Sequence, residues 1–221
     1  MTKRPDLNRR HVLTAAAGIA ALSAAPAFAI DDDPLAAKGY AVGDIVKGDP
    51  DAPVTIIEYA SLTCPHCASF HVNSYPTIKA DYIDTGKAKL ILREIYFDQF
   101  GLWSAMVARC GGEEGYYKLI DMYLTRQREW WLSHRDAFVA TKNPQPVVNE
   151  IMKIGRLAGL SNERMNACLS DQAFMERLVT DYQTTSAEDS VRSTPTFIIN
   201  GNVITGSVSA AAMAAEIEKH F

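Results

Sequence analysis

Three features are scarce in this sequence of 221 residues, and each absence argues against a class of protein. Cysteine occurs four times and forms a single Cys-x-x-Cys pair, whereas a four-cysteine zinc site takes two such pairs. Apolar runs are short: residues 12–22 are too few and too rich in alanine for a comfortable membrane span. Basic residues number 22 against 26 acidic ones, and this balance argues against nucleic acid as a general partner.

What the sequence does contain begins with the pattern of a secretory signal peptide. Arg9 and Arg10 precede the apolar stretch, and an Ala-Phe-Ala cleavage pattern ends at Ala29. We therefore predict a cleaved signal peptide over residues 1–29 and a mature domain over residues 30–221, exported to the periplasm, where disulfides persist. The twin arginine indicates export by the folded-protein route, and an uncleaved membrane anchor is the alternative.

The central motif is Cys64-Pro65-His66-Cys67, which follows an apolar run over residues 54–60. The run predicts a buried strand and the residues after the motif predict a helix, with Cys64 near the N-cap and Pro65 at the first helical position. A helix N-terminus favours the thiolate, which is the nucleophile in disulfide exchange. We expect Cys64 to attack or be attacked, Cys67 to close or resolve the bridge, and His66 to add positive charge. A stabilised thiolate makes the disulfide an oxidant.

Two plainer roles for this cysteine pair stay open. One is an inert structural disulfide. The other is half of a structural zinc site, with His71 as a third ligand, although nothing supplies a clear fourth ligand. We favour the redox pair and predict no metal.

The pattern on either side of the motif predicts an α/β fold. The strand over residues 54–60 and a helix over residues 65–84, which Pro76 kinks or splits, come first. A strand over residues 89–97 follows, and we expect the two strands to be parallel with a right-handed crossover. From residue 102 to about residue 189 the periodicity is helical. Residues 116–131 are predicted to form one of the helices of this segment.

The chain then returns to the sheet in a hairpin. Apolar residues 197–199 and 203–205 flank an Asn-Gly-Asn turn at residues 200–202, a strong hairpin signal. Pro195 stands directly before the first of these strands, a position suited to a cis peptide bond.

Cys110 and Cys168 both fall in the helical segment. Because the protein is predicted to be exported and the number of cysteines is even, we predict a structural disulfide that pins two helices. Closing a loop of this length stabilises the fold by about 4 kcal/mol in the chain-entropy view. Two buried free thiols that pack as small apolar groups are the alternative.

Trp130 and Trp131, with Arg126, Arg128 and Arg135 nearby, suggest a docking surface for a partner. A buried aromatic corner surrounded by solvated charges is the plainer interpretation and the one we favour.

The Cys-Pro-His-Cys turn, the acid Glu58 before it, the helical segment, and Thr194-Pro195 before the final hairpin together resemble the DsbA-like family of exported thiol–disulfide interchange proteins. The resemblance covers essentially the whole mature chain. It implies a thioredoxin fold with an inserted helical subdomain at about residues 101–189.

The resemblance also implies a role for each residue of the site. Cys64 forms the mixed disulfide with a substrate, and Cys67 is its buried partner. His66 helps to depress the pKa of Cys64. Pro195 is cis and lies against the cysteine pair, and the backbone of Thr194 pairs with a substrate strand.

Glu58 matches a buried acid that, in the family, carries protons near the resolving cysteine. From the sequence alone it is an acid in an apolar strand, and an outward-facing position on that strand is the alternative.

The resemblance implies an oxidase that donates disulfides to reduced secreted proteins and is reoxidised by an inner-membrane, quinone-linked partner of the DsbB type. We expect no cofactor. The part of the chain before the motif has no room for the long dimerisation domain of the isomerases, so we expect a monomer. A reductase or isomerase of the same fold, a noncovalent chaperone or binding module, and a metal-handling protein are the alternatives.

Overall fold

The computed structural model describes residues 33–221, so the predicted signal peptide over residues 1–29 lies outside the described residues. Among the helices of the described chain, none combines the length and the apolarity that a membrane crossing requires.

A five-stranded mixed sheet lies at the centre of the described chain. Its strands are β1 (Val46–Lys47), β2 (Val54–Ala60), β3 (Ala88–Glu94), β4 (Thr196–Ile199) and β5 (Asn202–Thr205). The strand order is β1-β3-β2-β4-β5. β2 and β3 are parallel, from Val54 opposite Ala88 to Ala60 opposite Glu94, which confirms the predicted strand–helix–strand unit. The other neighbouring pairs are antiparallel.

Ten α-helices accompany the sheet within residues 33–221. They are α1 (Pro34–Ala37), α2 (Pro65–Asn73), α3 (Tyr75–Ile78), α4 (Gln99–Cys110), α5 (Gly112–Thr125), α6 (Ser133–Thr141), α7 (Gln145–Ala158), α8 (Asn162–Leu169), α9 (Gln172–Glu188) and α10 (Ala210–Ile217). Two π-helical turns (Lys79–Ile83 and Arg128–Leu132) and a 3-10 turn (Glu218–His220) complete them.

The helix that follows β2 is divided, as predicted at Pro76. α2 ends at Asn73, and α3 begins at Tyr75, so Pro76 lies in the first turn of the second piece. Proline is tolerated there because the first N–H groups of a helix have no partner within it. A π-helical turn continues α3 to Ile83.

The predicted hairpin is formed by β4 and β5. Its two turn residues, Asn200 and Gly201, have φ angles of 44° and 94°. Positive φ at both positions matches the twist of the flanking strands, which is why an Asn-Gly pair is favoured there. The Asn200 side chain also accepts a 2.8 Å hydrogen bond from the N–H of Thr55, which fastens the turn to β2.

Six helices, α4–α9, lie between β3 and β4 in the chain and form the predicted helical insert, from Gln99 to Glu188. The helix predicted over residues 116–131 is present but divided, because α5 ends at Thr125 and the π-helical turn Arg128–Leu132 follows it; α6 was not predicted. Gln127 is buried just after α5 and turns towards the end of β2. That contact is tertiary, so helical periodicity does not reveal it.

The two neighbouring tryptophans form a buried corner. Trp130 is 0% exposed and Trp131 is 8% exposed, and the Trp130 indole donates a 2.8 Å hydrogen bond to the carbonyl of Tyr123. The buried interpretation is confirmed, and a docking surface made of the two indoles is wrong.

A disulfide joins Cys110, at the end of α4, to Cys168 in α8. This confirms the predicted bridge and excludes the pair of free thiols. The bond closes a loop with a sequence separation of 58 and lies beside a small apolar cluster that contains Leu35, Tyr40 and Phe174. It therefore holds two helices of the insert together.

Candidate active site

The two cysteines of the motif lie at the turn between β2 and α2. Cys64 is the N-cap residue, with an extended backbone at φ −80° and ψ 119°, and Pro65 is the first helical residue. Cys64 is partly exposed, whereas Cys67 is fully buried one turn along the helix. Both are free thiols, so the structure represents the reduced protein.

The surroundings of Cys64 favour its thiolate. A hydrogen bond from Cys67 lowers the pKa of Cys64 to about 5, against the opposing effect of burial. The side chain of Thr194 and the backbone N–H groups of Cys67 and His66 also contribute to this lowered pKa. An anion at a helix N-terminus is stabilised in this way because the first N–H groups have no partner within the helix. Cys64 is therefore ionised at neutral pH.

The surroundings of Cys67 have the opposite effect. Burial raises the pKa of Cys67 far above its ordinary value, and the neighbouring Cys64 and the negative charge of Glu58 raise it further. In the resting reduced protein, Cys67 therefore carries its proton. This difference makes Cys64 the nucleophile of the pair.

His66 acts here through its backbone. Its side chain is exposed and makes no hydrogen bond with any residue from 33 to 221, whereas its N–H contributes to the lowered pKa of Cys64.

The loop before β4 closes the other side of the cysteine pair. The peptide bond between Thr194 and Pro195 is cis, as its position before the strand predicted. In its protonated form, the Cys64 thiol donates a 3.6 Å hydrogen bond to the carbonyl of Thr194. The structure therefore brings Thr194 and Cys64 together from positions 130 residues apart in the chain.

The helical insert holds the cysteine turn from two directions. Gln127 donates hydrogen bonds of 2.8 Å to the carbonyl of Leu62 and 2.9 Å to the carbonyl of Cys64. Thr63 donates a 2.7 Å hydrogen bond to Asp98, which caps the N-terminus of α4. Sequence reasoning missed both anchors. Asp98 had a usable signal, since an aspartate stands directly before a helical run, but Gln127 had none.

Glu58 is fully buried in β2, so the outward-facing alternative is wrong. The reason is its position in a central strand, between β3 and β4, where Leu92 and Phe197 are its neighbours. Both carboxylate oxygens lie within hydrogen-bond distance of His71 Nε2, at 3.2 and 3.0 Å.

His71 belongs to the site, although the sequence brought it to attention only as a possible zinc ligand. It lies on α2 four residues after Cys67, which places both side chains on the same face of the helix. Its imidazole is held by Glu58 on one side and faces Asp121 of α5 on the other. Within the described part of the chain, no group of three or more His, Cys, Asp or Glu residues is placed to hold a metal ion.

Comparison with known sequences identifies relatives along most of the chain. A family model described as Thioredoxin matches residues 40–219. A Rickettsia bellii protein, provisionally named a protein-disulfide oxidoreductase, is 32% identical over 177 residues, which are 80% of this chain and 64% of that protein. The chain thus spans less than two thirds of the length of this relative. Disulfide bond formation protein D of Bacillus subtilis is 25% identical over 195 residues, covering 85% of this chain and 82% of that protein.

Solved structures share the architecture. The crystal structure of alpha-DsbA1 from Wolbachia pipientis superposes with a TM-score of 0.70 at 30% identity, covering 80% of this chain and 90% of that one. The structure of DsbA from Chlamydia trachomatis has a TM-score of 0.66 at 20% identity, with 82% of this chain and 93% of that chain covered, and shows the common fold.

Proposed function

The chain belongs to the DsbA-like thiol–disulfide oxidoreductases of the thioredoxin family, and on this premise we propose that it is an exported oxidase that passes its Cys64–Cys67 disulfide to reduced secreted proteins. The proposal rests on the opposite pKa shifts of the two thiols. The pKa of Cys64 is lowered to about 5, whereas burial raises that of Cys67.

The contrast defines the order of events. A substrate thiolate attacks the Cys64 sulfur, the Cys64–Cys67 bond breaks, and Cys67 leaves and takes up a proton. A second substrate thiolate then attacks the substrate sulfur of the mixed disulfide, and Cys64 leaves as a thiolate. Two electrons pass from the substrate dithiol to the enzyme, and the substrate gains one disulfide.

The lowered pKa of Cys64 also supports the direction of transfer. A thiolate that is stabilised in the reduced protein makes Cys64 a good leaving group and the enzyme disulfide an oxidant. The exposed edge of Cys64 beside the carbonyl of Thr194 gives a substrate strand a backbone to pair with.

The remaining parts of the proposal rest on the family resemblance. In the periplasm, an inner-membrane partner of the DsbB type, linked to quinone, reoxidises the Cys64–Cys67 pair. The enzyme works as a monomer and needs no cofactor, because both electrons are held by the two sulfur atoms.

The reduction potential of the Cys64–Cys67 pair, measured by equilibration with glutathione buffers, tests the proposal. An oxidase requires a value near the strongly oxidising end of the range, about −120 mV. A value near about −270 mV, the range of thioredoxin, contradicts the donor role and favours a reductase. Transfer must also be lost in Cys64→Ala, and a Cys64→Ala variant with unchanged activity contradicts covalent chemistry at this site.

A further inference from the structure

Three titratable side chains form a line from the buried cysteine towards the surface. Glu58 lies at the inner end, and one of its oxygens is 3.0 Å from His71 Nε2. His71 Nδ1, on the opposite side of the ring, is 3.8 Å from Asp121 Oδ1. Each of the three side chains comes from a different element: β2, α2 and α5.

Exposure rises along this line. The side chains of Glu58 and His71 are 0% and 1% exposed, whereas that of Asp121 is 34% exposed. His71 Nδ1 and Asp121 Oδ1 face each other, and neither has a hydrogen-bond partner within residues 33–221. An imidazole between two carboxylates can accept a proton at one nitrogen and release a proton from the other.

The resolving cysteine lies on the same helix as His71 and within electrostatic reach of Glu58. Cys67 is fully buried and has no direct access to solvent, yet it must gain a proton in disulfide donation and lose it in reoxidation. The charge of Glu58 acts on the Cys67 thiol, and His71 lies on the same face of α2 as Cys67.

We propose that His71 and Asp121 extend Glu58 into a proton path between Cys67 and solvent, and so set the rate at which Cys67 changes its protonation state. The proposal rests on the thiol–disulfide exchange proposed above. In donation, Cys67 leaves as a thiolate; His71 Nε2 passes a proton to the Glu58 carboxylate, Glu58 passes it to Cys67, and Asp121 relays a proton from solvent to His71 Nδ1. Reoxidation runs the same transfers in reverse, and no electron crosses the path.

Other charged and titratable groups face this path and do not interrupt it. Tyr75 of α3 has a buried hydroxyl with no partner among the described residues, and burial raises its pKa, so it stays neutral. Tyr117 of α5 is likewise kept neutral by burial. Burial raises the pKa of Asp121, while His71 and then the charges of Lys47 and Lys79 oppose that effect.

Rapid mixing of the reduced protein with oxidised glutathione allows the reactions of Cys64 and Cys67 to be measured as two separate steps. In the first step, Cys64 attacks glutathione disulfide and forms a mixed disulfide. In the second, Cys67 loses its proton, attacks the Cys64 sulfur and releases the second glutathione. Both rates are measured from about pH 5 to about pH 9, across the range in which imidazole titrates.

The variants are His71→Gln, Asp121→Asn and the control Asp136→Asn, whose side chain is 88% exposed on α6. In both path variants we expect the second step to slow by roughly tenfold or more and to change its pH dependence, as loss of a general base does. The first step should stay within about twofold, because the path does not reach Cys64. The control should match the unaltered protein in both steps.

A second step that is unchanged in both path variants at every pH overturns the path. Asp121→Asn removes a partly exposed group, so it decides the question even where His71→Gln does not fold. Absence of the first step in the unaltered protein overturns the proposed function instead, so the two failures are distinguishable.

Discussion

Gln127 holds the backbone of Cys64: its side-chain amide donates a 2.9 Å hydrogen bond to the Cys64 carbonyl. The same nitrogen donates a 2.8 Å hydrogen bond to the carbonyl of Leu62. A side chain of the helical insert thus fixes the turn that carries the nucleophile, and the orientation of the first N–H groups of α2 depends on it.

Gln127→Ala should therefore loosen the turn. We expect the free energy of unfolding to fall by about 1–3 kcal/mol, because the buried carbonyl of Leu62 and the partly buried carbonyl of Cys64 lose their donor. The midpoint pH for alkylation of Cys64 should rise, since the N–H groups that stabilise the thiolate are less well ordered. Gln145→Ala, at an exposed position at the start of α7, is the matched control. An alkylation midpoint equal to that of the control contradicts the anchoring role.

The lowered pKa of Cys64 has a consequence for stability. The pKa is about 5 in the folded reduced protein, against 9.0 for an ordinary thiol. Such a group stabilises the fold above its unfolded pKa, and this stabilisation is lost as the pH falls through its folded pKa. The reduced protein should thus lose stability relative to the oxidised protein as the pH falls from about 9 to about 5. Denaturant titrations of both redox forms measure the difference, and parallel pH profiles contradict the lowered pKa.

Removal of the Cys110–Cys168 disulfide should lower the stability of the fold without changing thiol–disulfide exchange at Cys64 and Cys67. The double variant Cys110→Ala with Cys168→Ala should lose about 4 kcal/mol of unfolding free energy, as expected for a loop of this length. The bond joins α4 to α8 and not the cysteine turn, so the rate of glutathione exchange below the unfolding transition should stay close to that of the unaltered protein. Urea denaturation without reductant, with Cys64 and Cys67 replaced by serine in both proteins, measures the first effect. An unchanged denaturation midpoint is the result that rules it out.

Asp98 both caps α4 and binds Thr63, and the N-cap residue Ser209 provides a control that has only the capping role. It caps α4 through the N–H groups of Phe100 and Gly101 and also accepts the hydrogen bond from Thr63. Ser209 caps α10 in the same way, with its side chain accepting from the N–H of Ala212.

Asp98→Ala and Ser209→Ala should each lower the unfolding free energy by about 1 kcal/mol as the cap is lost. Asp98→Ala alone should also change the alkylation profile of Cys64, because only Asp98 holds the residue next to the nucleophile. Equal alkylation profiles in the two variants mean that the contact with Thr63 has no effect on the thiol.

Local signals made much of the fold predictable. β2 has the predicted bounds, Val54–Ala60, because a mostly apolar run between Pro53 and the cysteine turn is typical of a buried strand. The Asn-Gly turn fixed the hairpin, and Cys64 is the N-cap residue because Pro65 is the first helical residue. Each of these depends on neighbours within a few positions in the chain.

The contacts that complete the site could not be predicted in this way. Glu58 and Asp121 lie in different elements and meet through His71, and no spacing in the sequence encodes that meeting. The same holds for Arg109 of α4, whose buried ion pair with Glu94 of β3 is 2.6 Å long. Such pairings are set by how helices pack on the sheet, which periodicity leaves open.

The anchoring of the cysteine turn by Gln127 and Asp98 couples reactivity to the completion of folding. A chain whose insert has not yet docked lacks both anchors, and we expect the pKa of its Cys64 to move towards that of an ordinary thiol. On the proposed function, we expect such an immature chain to be a weaker oxidant than the folded protein. We therefore expect the Cys64–Cys67 disulfide to reach its full reactivity only in molecules whose insert has packed against the cysteine turn.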